Sequence, residues 1–249
     1  MRAFIIEKAS EVKGRALDLG CGVGWLSLEL ARNGMEVEGI DISGRRIQIA
    51  KEYLEVAPEK EKFGSVNYIV ADLNKIILEE SAYDAVVVWD TLHHIPEIDR
   101  LMREVKKALK PGGNFIALDH IGSTRVGNLM SKVAYLLLPT DRSYREKLKL
   151  VRERLKNKCS SEQASPKGSS PFEDVTQKEM IEAIKKNLTV KEIRTLLSFS
   201  AIVACVRLSE PLKYKLIRVV KFLDDLLIKT RILRGEYVFI WAQKEKTWT

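Results

Sequence analysis

Two carboxylates and three glycines near the start of the chain have the types and spacing to hold a charged nucleoside. In residues 16–24, ALDLGCGVG, Asp18 stands two positions before Gly20, and Gly22 and Gly24 follow at alternate positions around Cys21 and Val23. Glycines at the end of a strand let the backbone turn sharply and approach a ligand without Cβ overlap. The helix that opens behind them offers unpaired N–H groups. Dinucleotide-binding loops share this pattern. Here Asp18 suits a cationic group, such as an amine, better than a pyrophosphate, and Trp25 directly follows the last glycine. Asp41 lies about 20 residues beyond the loop, the interval at which an acid meets ribose hydroxyls. A carboxylate can accept from both hydroxyls of a ribose. Asp41 can equally serve to cap the helix that begins near Ser43.

Proton-transfer chemistry has a second set of candidates. All three histidines, His93, His94 and His120, and the acids Asp90 and Asp119 fall in two short stretches just after apolar runs. Histidine titrates near neutrality and can accept a proton. His120, Asp90 and His94 are the candidate catalytic residues, with His120 the preferred base. Holding the loop after the fourth strand is the competing role for His93 or His94.

The elements that must position these residues are legible as alternating strand and helix signals. Residues 16–19, 36–40, 66–70, 83–89 and 114–119 read as strands. Residues 25–32, 43–55 and 97–109 read as helices, the last with Ile98, Leu101, Met102, Val105 and Leu109 on one side. Pro111-Gly112-Gly113 is expected to break the chain between that helix and the fifth strand. The run YDAVVVW at 83–89 is nearly continuous in β-formers, as in a strand covered on both faces. Such alternation predicts a parallel sheet with helices on both faces. After His120 the rhythm changes. Residues 127–138 are apolar and helix-like, 143–158 form a charged helix, and 160–171 read as a loop rich in Ser, Pro and Gly. A capped helix over 176–186, a sixth strand at 189–197, a basic amphipathic helix at 211–233 and a seventh strand at 237–242 follow.

Composition narrows the class without selecting a partner. The chain has 249 residues, 45% of them hydrophobic and 31% charged, as in ordinary globular proteins. No stretch approaches the roughly 20 apolar residues of a membrane span, and residues 1–10 do not read as a signal peptide. Cys21, Cys159 and Cys205 are scattered, with no CxxC pair, so neither a metal site nor a disulfide framework is expected. A cytoplasmic setting is the expectation. The net charge of +8 permits nucleic acid, an anionic membrane surface or an acidic metabolite. It fits equally well a heat-adapted surface of ion pairs.

Five ordered blocks carry a family resemblance: ALDLGCGVGWLSLELA from Ala16, VEGIDIS from Val37, VADLNKI from Val70, YDAVVVWDTLHHI from Tyr83 and ALKPGGNFIALD from Ala108. In order and spacing they resemble the class I S-adenosylmethionine (SAM)-dependent methyltransferases. The closer likeness is to the group that methylates small molecules and lipids, such as quinone-biosynthesis enzymes. The resemblance covers about the first half of the chain and implies a Rossmann-like, seven-stranded, mostly parallel sheet with helices on both faces. Its last strand would run antiparallel, and helical insertions would cover the active site. The implied domains are a SAM-binding core at 1–122 and a helical insertion or lid at 123–188, with a mobile loop near 158–172. The last two strands would come at 189–249, with a basic helical insertion at 210–234.

The same resemblance implies roles for single residues. Asp18, Gly20, Cys21 and Gly22 would surround the methionine part of SAM, with Gly24 at the helix start. Asp41 would bind the ribose, and Ile42 would lie against the adenine. Asp72 would meet the adenine amino group with Leu73 beside the ring, and Trp89 and Asp90 would lie near the sulfonium. Cys21 is common at its place in the family and is read as a small loop residue, not a nucleophile.

Methyl transfer from a sulfonium mainly requires alignment and exclusion of water, so cofactor residues are easier to read than catalytic ones. No Asn-Pro-Pro-Tyr block follows the fourth strand, which argues against amino-methylating DNA and glutamine enzymes. The absence of a Pro-Cys pair there leaves the cytosine-C5 mechanism unsupported. The preferred expectation is a SAM-dependent transferase acting on a small molecule or lipid, with S-adenosylhomocysteine as product. The alternatives are an RNA or protein methyltransferase and a non-catalytic SAM-binding protein. Nucleic acid is not favoured, because no stacking motif or appended RNA module is present. The apolar faces at 129–138 and 216–228 read as packing on the sheet, with an apolar lid or membrane contact as the sharper alternative. The basic residues from Lys213 to Arg234 permit peripheral contact with anionic lipid. The acceptor atom and oligomeric state are left open.

Overall fold

Strands end at glycines or acids on one edge of the sheet, and this pattern builds the molecule. The computed structural model describes residues 2–58, 63–120, 133, 136, 143–150, 152, 176–196, 209–230 and 235–246. In chain order the elements are α1 (Arg2–Ser10), β1 (Arg15–Leu19), α2 (Trp25–Arg32), β2 (Glu36–Asp41), α3 (Gly44–Glu55), β3 (Val66–Val70), β4 (Tyr83–Trp89), a 3₁₀ turn (Leu92–His94), α4 (Ile98–Ala108) and β5 (Leu109–His120). They continue as α5 (Gln177–Asn187), β6 (Thr189–Leu196), α6 (Glu210–Lys229) and β7 (Tyr237–Gln243).

The seven strands lie in the order β3-β2-β1-β4-β5-β7-β6. β1 pairs in parallel with β2 and β4, β2 with β3, and β4 with β5. β7 runs against β5. Gly112 N donates to Lys244 O at 2.9 Å and Lys244 N to Gly113 O at 3.0 Å, so the start of one strand meets the end of the other. The strand order turns back between β1 and β4, the place where open α/β sheets bind ligands. This is the expected Rossmann-like sheet with one antiparallel strand.

The core follows from the strand sequences. Ala16, Leu17 and Leu19 of β1 and Ala85 to Val88 of β4 are buried on both faces, as parallel strands under helices must be. α4 turns Ile98, Leu101, Met102, Val105 and Ala108 inward, and α5 packs against it. α5 starts with a capping box between Thr176 and Glu179.

Two local expectations need correction. The Pro-Gly-Gly segment ends α4 but does not separate it from β5, because β5 begins at Leu109 and passes through Pro111, Gly112 and Gly113. Proline disrupts a helix interior by removing an N–H and clashing with the preceding turn, yet it is tolerated at the start of a strand. A register irregularity between Tyr83 and Ala85 marks the place. The first residues, for which no element was expected, form helix α1 with Ile5 and Ala9 buried.

The chain divides into two compact units, 1–119 with 172–194 and 239–249, and 120–171 with 195–238. Of the first unit, the sheet and α1 to α5 are described above. Within the second, residues 144–150 are helical and α6 is a single helix of 20 residues with Pro211 in its first turn. The expected loop at 160–171, most of the apolar stretch at 127–138 and the end of the basic helix at 231–233 lie outside the described residues. No helix among the described residues is long and apolar enough to cross a membrane.

Candidate active site

The glycine loop is anchored from below by β2. Gly20 N and Cys21 N both donate to Ile40 O, at 2.7 and 3.0 Å. Gly20 has φ +75°, and a Cβ there would overlap the Thr91 side chain of the loop after β4. Gly22, at φ +55°, is different, because nothing lies within 4 Å of the place its Cβ would take. Gly20 is thus required by the protein's own packing. Gly22 leaves open space beside a turn only glycine adopts readily. Gly24 caps α2, and its carbonyl accepts from the Tyr68 hydroxyl at 3.2 Å.

Three buried acids organise the strand ends. Asp18 is 1% exposed and accepts from Ser27 Oγ at 2.6 Å. Burial raises its pKa from 3.8 to about 7, because a carboxylate loses hydration there. Asp41 accepts from Gly22 N at 3.0 Å with one oxygen and from Ser43 N at 2.8 Å with the other. It therefore binds the glycine loop to the start of α3 and does act as the helix-entry residue. Each of its oxygens keeps a second lone pair. Asp119, fully buried, holds the loop after β4. Its Oδ2 accepts from Thr91 N at 3.0 Å and Leu92 N at 2.6 Å, and its Oδ1 lies 2.5 Å from His93 Nδ1.

That clamp shapes the next residues. Asp90 adopts φ +52°, an uncommon conformation for a side chain other than glycine. Such strain persists only where the surroundings impose it, and it gathers at functional sites. Here Asp90 N is tied to Leu118 O at 2.8 Å and Thr91 Oγ1 to Trp89 O at 2.9 Å. Trp89 meets Trp25 edge to face at 4.9 Å between centroids.

An open pocket of about 340 Å³ lies over the loop, lined by Asp18, Gly20, Cys21, Gly22, Trp89 and Asp90 among others. The structure thus brings together six of the residues expected from sequence. It adds Val23, Trp25, Leu26, Arg46 and Thr91 to the walls. Arg46 is the one cation among them, placed by the turn that Ser43 caps through Arg46 N. Nothing in its sequence position beyond proximity to Asp41 marks it.

The remaining expected residues lie outside the lining. Ile42 is 68% exposed, Leu73 is buried, and Asp72 accepts from Asn74 N at 2.9 Å. The Asn74 N–H, with Lys75 nearby, holds the Asp72 carboxyl below its usual range. The His94 ring packs at a tilt against His93, with centroids 3.8 Å apart. His120, at the end of β5, belongs to the second unit, where its ring meets Tyr237 edge to face at 5.1 Å. Burial, with Asp18 and Asp41 nearby, pushes the Cys21 thiol well above its ordinary range, so the thiolate nucleophiles require is disfavoured.

Asp90, His93 and Asp119 place ligand atoms within 4.8 Å of one another. Asp119 and His93 are engaged with each other and with the backbone, which makes the group a loop clamp beside an exposed acid. A larger groove of about 440 Å³, between 96–99 and α5, is lined by Glu97, Asp99, Glu179, Glu182 and Lys186. It contains none of the strand-end residues.

The pocket lies where a seven-stranded Rossmann-like sheet reverses its strand order, floored by glycines and a buried acid, the place where such folds bind ligands. A family model described as a methyltransferase domain matches residues 17–117. This stretch is therefore similar to methyltransferase domains, and two of its relatives are named for sterol and ubiquinone chemistry. The chain is 32% identical over 111 residues to a sterol 4-C-methyltransferase of Caenorhabditis elegans, covering 42% of this chain and 30% of that protein. It is 31% identical over 144 residues to a ubiquinone biosynthesis O-methyltransferase of Coxiella burnetii, covering 53% and 59%. The chain thus spans less than two thirds of the length of these curated relatives. Among solved structures, a SAM-dependent methyltransferase from Mesorhizobium loti superposes over 98% of both chains with a TM-score of 0.57 and 19% identity. Haemonchus contortus phosphoethanolamine N-methyltransferase 2 in complex with SAM gives a TM-score of 0.60 at 21% identity, over 98% of this chain and 52% of that one. Those two likenesses establish the fold.

Proposed function

We propose that this protein transfers a methyl group from SAM to a small-molecule or lipid acceptor. The observation that carries this reading is the pocket itself, where the buried Asp18 borders open space above Gly22. The residues fit the cofactor's parts. Asp18 suits an ammonium, since a cation at its side would offset the loss of hydration that now keeps it near pKa 7. Asp41 has acceptor capacity left for ribose hydroxyls. Ile42, Asp72 and Leu73 are the proposed adenine contacts. SAM, when bound, supplies a methyl group already activated on a sulfonium.

The chain's own residues then have two tasks. Trp25 and Trp89 wall the pocket with apolar surface and restrict water. Asp90, exposed at the end of β4, is placed to accept a proton from a hydroxyl or acidic carbon. His94 and His120 are the other proposed bases, His120 on its sequence position alone. A hydrophobic acceptor is supported by the sterol and ubiquinone names of the relatives. Residence in a reducing cytoplasm belongs to the same reading, supported by the free, buried Cys21.

The test is incubation with methyl-labelled SAM and separated lipid, small-metabolite, RNA and protein fractions, with Asp72→Ala as control. Label in the lipid or small-metabolite fraction, reduced in the control, is the expected result. Label in RNA or protein alone overturns the acceptor class. SAM binding with no label in any fraction overturns the transfer.

A further inference from the structure

Helix α6 breaks the rule that the other long helices obey. α4 buries five apolar side chains on one face. α6 buries none of the apolar side chains described along its 20 residues, and its one buried side chain is Asp224. Its most exposed aliphatic and phenylalanine positions are Leu212, Val219, Phe222, Leu223 and Leu226, from 45% to 66% accessible. At about 3.6 residues per turn these five fall on one arc of the helix, away from Asp224. Lys215 lies within that arc and Arg218 and Lys229 along one border of it, all exposed, with Asp225 the one exposed acid beside them and the exposed Lys221 further round.

We infer that α6 is an interfacial helix that rests on an anionic lipid bilayer. An apolar stripe bordered by Lys and Arg is the arrangement that lies in the plane of a membrane surface. The apolar side chains enter the acyl boundary, while the long basic side chains reach back to the phosphates. The helix is not apolar enough to span, so it lies on the surface. Charge selects lipid over a second copy of this chain. Pairing two such stripes would set basic border against basic border, whereas an anionic surface neutralises each one. The net charge of +8 acts in the same direction. The inference stands on this helix alone and is independent of the proposed methyl transfer.

The experiment is flotation of the full chain with vesicles of phosphatidylcholine alone or mixed with phosphatidylglycerol, at low salt. Three variants accompany it: Phe222→Ser with Leu226→Ser, Arg218→Glu with Lys221→Glu, and Phe222→Trp. All substituted side chains are exposed, and far-UV circular dichroism melts check that the fold is kept. Binding to the mixed vesicles, weakened by about tenfold or more in both double variants, is expected. A blue shift of the added tryptophan on the same vesicles is expected with it. Recovery of the native chain in the unbound fraction overturns the inference. Binding that depends on the arginine and lysine but not on Phe222 and Leu226 also overturns it, because the attraction would then be one of net charge. So does self-association that the serine variant abolishes without any vesicle binding, which would assign the stripe to a second copy.

Discussion

The strand-end loops and helix α6 are built on opposite principles. At the strand ends each chemical group has specified neighbours: Gly20 faces Thr91, Asp18 holds Ser27, Asp41 holds Gly22 and Ser43, and Asp119 holds Thr91, Leu92 and His93. Along one arc of α6 the apolar side chains Leu212, Val219, Phe222, Leu223 and Leu226 face solvent. The first region is written in residues that cannot be exchanged without breaking backbone geometry. The second is written in residues that can be exchanged for one another within a class. A site for one fixed cofactor calls for the former, and a surface that meets a fluid or variable partner tolerates the latter.

This contrast can be broken by substitution, most severely at Asp119. Asp119→Ala strands two backbone N–H groups and the His93 ring without their acceptor. A loss of about 3 kcal/mol in denaturant unfolding is expected, together with a loss of SAM affinity. An unchanged midpoint would remove Asp119 as the clamp. Gly20→Ala comes next, at about 2 kcal/mol, from its positive φ and the collision with Thr91. Gly22→Ala pays the backbone strain alone, so it should keep more stability while weakening SAM binding more than it weakens the fold.

Asp18 gives a pH effect of intermediate size. Its raised pKa means that the ligand-free fold prefers the protonated form. The stability this contributes is complete below the ordinary carboxylate pKa of 3.8 and is lost as pH rises through about 7. An ammonium bound beside it favours the ionised form instead. S-adenosylhomocysteine should therefore bind with release of a proton below pH 7 and bind more tightly as pH rises toward 8. Calorimetry in buffers of different ionisation enthalpy measures this, and Asp18→Asn should abolish it. At the far end of the scale, Leu226→Ser on α6 should change stability by less than about 0.5 kcal/mol. A large loss would mean that the stripe is packed in solution, and the two regions would then be alike.

The same division explains what was legible in the sequence. The strands, the loop glycines and Asp18, Asp41 and Asp90 could be read because period, spacing and residue type each follow from a local requirement, whereas Trp89 was implied by the family resemblance of its block. β5 was placed too late because Pro111-Gly112-Gly113 is a breaker only for the helix before it. Helix α1 lacks clear periodicity and carries no motif. Arg46 and Thr91 reach the pocket only through tertiary folding. Asp119 was visible as a candidate acid, but its partners lie 26 to 28 residues away in the chain. No pattern of spacing announces them.

The return of β7 to β5 has a consequence for how this chain can be divided. The matched domain ends at residue 117, yet β5 is not an outer strand, since Gly112 and Gly113 exchange backbone hydrogen bonds with Lys244. A fragment that stopped after β5 would present a bare strand edge, open to sticking to its own kind. The tail thus works as a selvedge, the finished border that stops a cloth from unravelling. The stretches between β5 and α5 and between β6 and β7 can change in length without altering the weave, provided the chain comes back to bind that border.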